Sequence, residues 1–330
     1  MPPLHVAALT PLRVPWPHAP ITLADSLRIV ETPRFDEKNW GFWNLRRTEE
    51  GVLERTHWLR ADAECEWHDR DRVLSEMTGL LRSSMLGFQL WAPVGWDGII
   101  FGTRAAGSDV LTVENVSFAA PYFVSHWARM LDIGKFSPDT LPVLIEGTVQ
   151  GLTSHSVRSI NPFQFLELGL QTAVNHERAG ALLWTLGLDA LLAAERQDRF
   201  AARLKRLLGP ETLLFPEDFA GRRPVYTVAD VASGIYDLRN LIAHGKEVVA
   251  EYRERIKFGF APPSLAHLAV EGWTYELLLR ESALLALIAA LRKVLADGLL
   301  AAVAEKKTWE RWLDSSASTN QSRHHASHGE

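Results

Sequence analysis

Cysteine is nearly absent. Cys65 stands alone in 330 residues, so no intramolecular disulfide staples the fold, and the chain suits a reducing compartment. Surplus positive charge is missing too: the formal net charge is −5, which argues against a large non-specific nucleic-acid surface and leaves room only for a local basic patch. Long apolar runs are also lacking. The most hydrophobic stretch, Ser282 to Leu291, is fenced by Arg280 and Glu281 on one side and by Arg292 and Lys293 on the other. It falls far short of the roughly 20 residues a spanning helix needs, so it reads as a buried helix and no membrane partner is expected. The start, Met1-Pro-Pro-Leu-His-Val, carries no positive charge ahead of an apolar run. No secretory signal is therefore expected, and the cytoplasm is the default location. No internal repeat is visible.

With 47% hydrophobic and 23% charged residues, the chain can build a core in each of two halves, and these read differently. Prolines 2, 3, 11, 15, 17 and 20 predict an irregular N-terminal arm rather than a helix or a central strand. From about residue 21 to 120 strands dominate: Ser26-Leu-Arg-Ile-Val, Val52 to Trp67, Gly98-Ile-Ile-Phe-Gly and Leu111 to Phe118, the last two joined through Gly107-Ser-Asp as a hairpin. One helix, Asp69 to Leu90, interrupts them, with Val73, Met77, Leu80, Leu81 and Met85 near helical spacing. Within the second strand Asp62, Glu64 and Glu66 alternate with Ala63, Cys65 and Trp67, which puts three carboxylates on one face. A metal-dependent nuclease uses such groups. No lysine motif accompanies them, however, and a solvated strand face is the better reading. Tryptophans 16, 40, 43, 58, 67, 91 and 96 read as core and interface anchors rather than as a base-stacking platform.

After about residue 138 the strand signal gives way to amphipathic helices: Asp139 to Ser154, Pro162 to Val174, Arg178 to Leu208, Val228 to His244, and Leu265 to about Trp312. A long loop with three prolines, 209–224, separates the third from the fourth. The expected fold class is therefore α+β: a mixed α/β N-terminal domain over 1–137, a helical bundle over 138–313, and a Ser-, Asn- and His-rich tail over 314–330 whose composition predicts disorder. His324, His325 and His328 in that tail lack the supporting shell a metal site needs.

The helix Val228 to His244 carries the one chemical constellation. On a wheel of 100° per residue, Ile235, Leu238, Leu241 and Ile242 share one side, while Tyr236, Arg239, Asn240 and His244 share the other. Ala243 leaves room between Arg239 and His244 for a phosphate. Gly245 is the natural left-handed terminator, which puts His244 in the last turn, where the negative end of the helix dipole favours the protonated imidazole of a proton donor. Arg239 offers a planar fork for two phosphate oxygens and for the added charge of a phosphorane-like transition state. Asn240, one turn before His244, can orient the imidazole or the substrate. Such a set needs no metal and no cofactor if the substrate brings its own nucleophile, as the 2′-hydroxyl of RNA does. A second proton-transfer group is required, and a symmetric homodimer that joins two such helix ends would supply it. Lys246 and Tyr236 complete the candidate substrate-binding set, together with Arg199, Arg203 and Arg206. With Arg196, those three form a stripe that either tracks an RNA backbone or is a solvated face beside Glu195 and Asp198.

An Arg followed by four residues and a His is a weak motif by itself; the tail repeats it at Arg323 and His328 without a helix to fix it. Context strengthens the first match. The run Gly234-Ile-Tyr-Asp-Leu-Arg-Asn-Leu-Ile-Ala-His-Gly245 resembles the signature of HEPN domains, in particular the Apea-like HEPN family. The segment from Arg178 to Leu192 and the Arg-rich helix after it resemble that family's first core helices, with Asp189 where a glutamate is expected. The resemblance covers roughly residues 175 to 300. It implies a helical bundle, dimerisation, and metal-independent RNase activity through Arg239 and His244, often in antiviral defence or toxin systems. The alternative it carries is a HEPN domain that binds RNA, a nucleotide or a protein without cutting. In either case the N-terminal half is left to sense a trigger or bind a protein partner.

Overall fold

The first strand forms between two clusters of prolines. A computed structural model describes residues 3–12, 16, 20–48, 56–92, 98–105, 107–117, 137–214, 226–245 and 272–315. In it, Leu4–Pro11 is strand β1, the middle of a seven-stranded sheet. This corrects the expected irregular arm. Leu4 to Thr10 is a proline-free window, and Pro11 stands at the strand's last position, where a missing N–H costs least. Val6 and Ala8 join one core and Ala7 and Leu9 another, so the strand is apolar without alternation, as a strand covered on both faces should be.

The remaining strands are β2 (Ile21–Ala24), β3 (Leu27–Glu31), β4 (Arg34–Phe35), β5 (His57–Cys65), β6 (Ile99–Arg104) and β7 (Val110–Ser117), in the order β2-β3-β5-β1-β6-β7-β4. Every pairing is antiparallel except β4 with β7. The expected β6–β7 hairpin is present, with Gly107 at a φ of 75° in its turn. Helix α1 (Trp40–Thr48) seals one face of the sheet with Leu45, and helix α2 (Arg70–Trp91) covers the other with Met77, Leu81 and Met85. Trp16, Trp58 and Trp91 are buried as expected of anchors, whereas Trp40, Trp43 and Trp67 stand exposed; Trp96 lies outside the described residues.

The second half holds α3 (Leu141–Thr153), α4 (Val157–Ala173), α5 (Glu177–Leu192), α6 (Gln197–Leu208), α7 (Val228–Ala243), α8 (Gly272–Ala296), α9 (Leu300–Ala304) and α10 (Lys306–Asp314). The fold is thus α+β, as expected, and the helical half contains no described strand beyond one isolated bridge, Leu213 to Thr227. Three expected helix boundaries move. Helix α4 begins before Pro162, which sits buried in its second turn. The single helix expected from Arg178 to Leu208 breaks at Ala193, whose φ of 50° is left-handed. The long C-terminal helix ends at Ala296, followed by Gly298 with a φ of 65°.

Helix α2 belongs to both halves. Its last eight residues, Ser84 to Trp91, are all buried, because the sheet lies against one side and α3 against the other. At Gly87 an added Cβ would lie 2.8 Å from Cα of Ile145, so only glycine permits that approach. Arg292 of α8 ties off the free end of α2 by donating from Nε to the Leu90 carbonyl at 2.7 Å and from Nη2 to that of Trp91 at 3.1 Å. Burial pushes the Arg292 pKa down, yet the two carbonyls hold the side chain in place. Arg292→Met keeps the apolar stem and removes both donors. It is expected to destabilise the protein by about 1–3 kcal/mol, the cost of leaving buried carbonyls unpaired, read from the urea midpoint.

Candidate functional site at the end of helix α7

Helix α7 is fixed at both ends by local chemistry. At its start, Asp230 Oδ2 accepts from the Thr227 backbone N–H and from the Thr227 hydroxyl, both at 2.9 Å. At its end, the His244 N–H donates to the Asn240 carbonyl at 3.0 Å, and Gly245 follows with a φ of 64°. The expected termination is therefore observed: His244 occupies the C-terminal cap with its side chain exposed. Its imidazole has no partner among the described residues.

Arg239 is far from free. Nη2 lies 3.4 Å from Oδ2 of Asp189, Nη1 donates to Oδ1 of Asn240 at 3.4 Å, and Cζ stands 5.4 Å from the centre of the Tyr236 ring. The guanidinium is thus drawn toward α5 and its own helix while remaining partly exposed. Tyr236 corrects the sequence reading. Expected on the chemical face, it is buried instead, its ring against Phe200 and its hydroxyl donating to the Glu195 carbonyl at 3.4 Å. It supports Arg239 and offers no open ring to a substrate.

Asp189 enters the site through the fold. Its carboxylate is largely buried near the end of α5, and Oδ1 has no hydrogen-bond partner, so burial raises its pKa above the ordinary aspartate value while Arg239 opposes the rise. Carboxylates of this kind occur at working sites and in structural ion pairs alike. Because the folded-state pKa is raised, Asp189 costs stability once the pH exceeds the unfolded-state value near 3.8, and the cost vanishes below it. Asp189→Asn is therefore expected to melt higher than wild type at pH 7, with the gap closing as the pH falls below about 4. A thermal melt series across that window checks it; a gap independent of pH would remove the carboxylate's charge from the explanation.

The arginine stripe does not form as expected. Arg196 precedes α6 and pairs with Asp198, Arg199 and Arg206 are exposed, and Arg206 leans over the Trp312 ring at 5.9 Å. Arg203 is only 2% exposed: it bonds Asp314 through Nε and Nη2 and the carbonyls of Leu192 and Ala193 through Nη1. The end of α5 and Asp314 of α10 enclose Arg203, so it closes the α5–α6 corner and is not presented to a ligand. Lys246, residues 215–225 of the proline-containing loop, and the tail histidines lie outside the described residues.

Asp62 and Glu64 share a face of β5, as expected, but each is taken up by its own basic partners. Asp62 pairs with Arg28 and Arg60, Glu64 pairs with His5, and Glu66 lies beyond the end of β5. Among the described residues no group of three His, Cys, Asp or Glu side chains is placed to hold a metal.

No relative is found. The chain matches no family model, no curated protein and no solved structure. What the helix end can do therefore rests on its own geometry: one permanent cation backed by a carboxylate and an aromatic ring, one amide, and one exposed imidazole, all presented from the last two turns of α7 and the end of α5.

Proposed function

We propose that the chain is a metal-independent endoribonuclease that works through Arg239 and His244, as its resemblance to HEPN domains implies. The observation that carries the reading is the partly exposed Arg239 held by Asp189, Tyr236 and Asn240, one turn from an imidazole that faces solvent. In the proposed step the 2′-oxygen of a ribose attacks the adjacent phosphorus and gives up its proton. The bond from phosphorus to the 5′-oxygen breaks, and that oxygen takes a proton, leaving a 2′,3′-cyclic phosphate and a free 5′-hydroxyl. Arg239 stabilises the equatorial oxygens and His244 performs one of the two proton transfers. His244 of a second copy, brought up by a twofold axis, performs the other.

The test is cleavage of mixed cellular RNA by purified protein in EDTA, with DNA as the control. Cyclic-phosphate ends that disappear in Arg239→Ala and His244→Ala support the reading. Equal products from wild type and both variants would sink it. One observation favours the second reading, a HEPN-type domain that binds without cutting: Arg239 already has three internal partners, so a phosphate must compete with Asp189 for it. Tight RNA binding that depends on Arg239, without cleavage, would select that reading.

A further inference from the structure

The edge of Arg239 that a phosphate would take is already engaged. A guanidinium grips an oxyanion most strongly through two parallel N–H bonds, and its two terminal nitrogens form one such fork. Here Nη2 of Arg239 faces Oδ2 of Asp189 on α5 and Nη1 faces Oδ1 of Asn240, each at 3.4 Å. Two side-chain oxygens stand where two phosphate oxygens would stand, and Asp189 supplies the negative charge. The Tyr236 ring, its centre 5.4 Å from Cζ, supports the cation without using any of its N–H donors.

A carboxylate that serves to aim an arginine bonds the guanidinium with both oxygens. Arg203 and Asp314 show that arrangement in the same chain, with Nε and Nη2 bonded to the two oxygens at 2.7 and 2.6 Å. Asp189 has none of it. Its contact with Arg239 is an ion pair without a hydrogen bond, and its buried Oδ1 has no partner. The arginine compensates the carboxylate so incompletely that burial still raises the Asp189 pKa. A contact this loose fixes no geometry and is readily exchanged. Arg239 is free to exchange it, because 29% of its side chain is in solvent, in the last turns of α7 beside His244.

We infer, on the reading of Arg239 as the phosphate-binding group of a ribonuclease, that Asp189 is an internal stand-in for the phosphate, holding the terminal edge of Arg239 until RNA displaces it. The carboxylate lowers the affinity for RNA and takes no part in the chemical step.

Two measurements on the full chain at physiological salt test this role. One is binding of a fluorescent 2′-O-methyl oligonucleotide, which lacks the nucleophile and cannot be cut; the other is cleavage kinetics on the matching RNA in EDTA. The proteins are wild type, Asp189→Asn, Arg239→Ala and the double variant, each checked by thermal melting. Asp189→Asn keeps the shape of the side chain and removes its charge. It is expected to bind the oligonucleotide about fivefold tighter and to lower KM by a similar factor, with kcat within about twofold of wild type, the scale of a partly exposed ion pair. In the Arg239→Ala background the same substitution is expected to change binding by less than about 1.5-fold, since the two residues act as one unit.

Unchanged or weaker binding by Asp189→Asn overturns the proposal. So does a fall in kcat at constant KM, the signature of a carboxylate that aims the arginine. An equal gain in the Arg239→Ala background overturns it too, because that is the field of the lost charge alone. Where wild type still cuts RNA, any of these three results leaves the ribonuclease reading standing. If none of the proteins binds or cuts, that reading falls and the role of Asp189 falls with it.

Discussion

His244→Ala is expected to lower RNA cleavage by about 10²–10⁴-fold, the usual worth of a positioned proton-transfer group, while leaving the melting temperature within a degree or two of wild type. The separation follows from geometry. The imidazole is exposed and has no hydrogen-bond or ion-pair partner among the described residues, so its removal opens no buried cavity and strands no partner. Arg239→Ala should lose activity by a comparable factor, because a fixed cation at developing phosphate charge is among the larger single contributions to catalysis. It differs from His244→Ala in also disturbing the fold, since it leaves the Asp189 carboxylate buried without its cation. The pair Arg239→Ala with Asp189→Asn should therefore regain stability without regaining activity. Cleavage assays and thermal melts on the same four proteins check both statements. If His244→Ala cuts as fast as wild type, the helix end has no catalytic role and its polar face is merely solvated.

What could be read from the residues alone follows the reach of local forces. The end of α7 was legible because a polar helical stripe followed by glycine is a local pattern, and the structure places Arg239, Asn240 and His244 where that pattern puts them. The hairpin at Gly107 and the span of α2 were legible for the same reason. Strand β1 was hidden because prolines flank it, and flanking residues say little about a seven-residue window between them. Asp189 interrupts an otherwise apolar stretch, Leu188-Asp-Ala-Leu-Leu, and that interruption is the one local signal that marks it. Its meeting with Arg239 depends on how α5 packs beside α7, which no local pattern encodes. Tyr236 and Arg203 misled in the same way. On a wheel both lie with polar neighbours, yet Phe200 of α6 covers Tyr236, and the end of α5 and Asp314 of α10 enclose Arg203.

Arg203 consequently becomes the largest single stability determinant proposed for the helical half. Helix α5 ends at a left-handed alanine, a conformation costly for any residue with a Cβ, and its last carbonyls have no helical partners. Arg203 Nη1 supplies donors to two of them, Leu192 at 2.8 Å and Ala193 at 2.6 Å, while Trp309 Nε1 supplies a third to Leu191. The remaining face of the guanidinium is met by both oxygens of Asp314, which closes α10 over the corner. Arg203→Ala removes all four bonds and leaves a cavity, so a loss of about 2–4 kcal/mol is expected, the range for breaking a buried, charge-assisted network from one side. Arg199→Ala and Arg206→Ala, both on the exposed surface, should change stability by less than about 0.5 kcal/mol. Asp314→Asn should fall between them, and its effect has a pH signature. The hydrogen bonds from Arg203 hold the Asp314 pKa below the ordinary value of 3.8, so its contribution is present above that pH and fades as the pH drops through the lowered value. Urea melts of the four variants at pH 7 and pH 3 separate these cases. Equal midpoints for Arg203→Ala and Arg199→Ala would mean that the α5–α6 corner holds without its arginine, and a strong loss of RNA cleavage at undiminished stability would return Arg203 to the substrate-binding set.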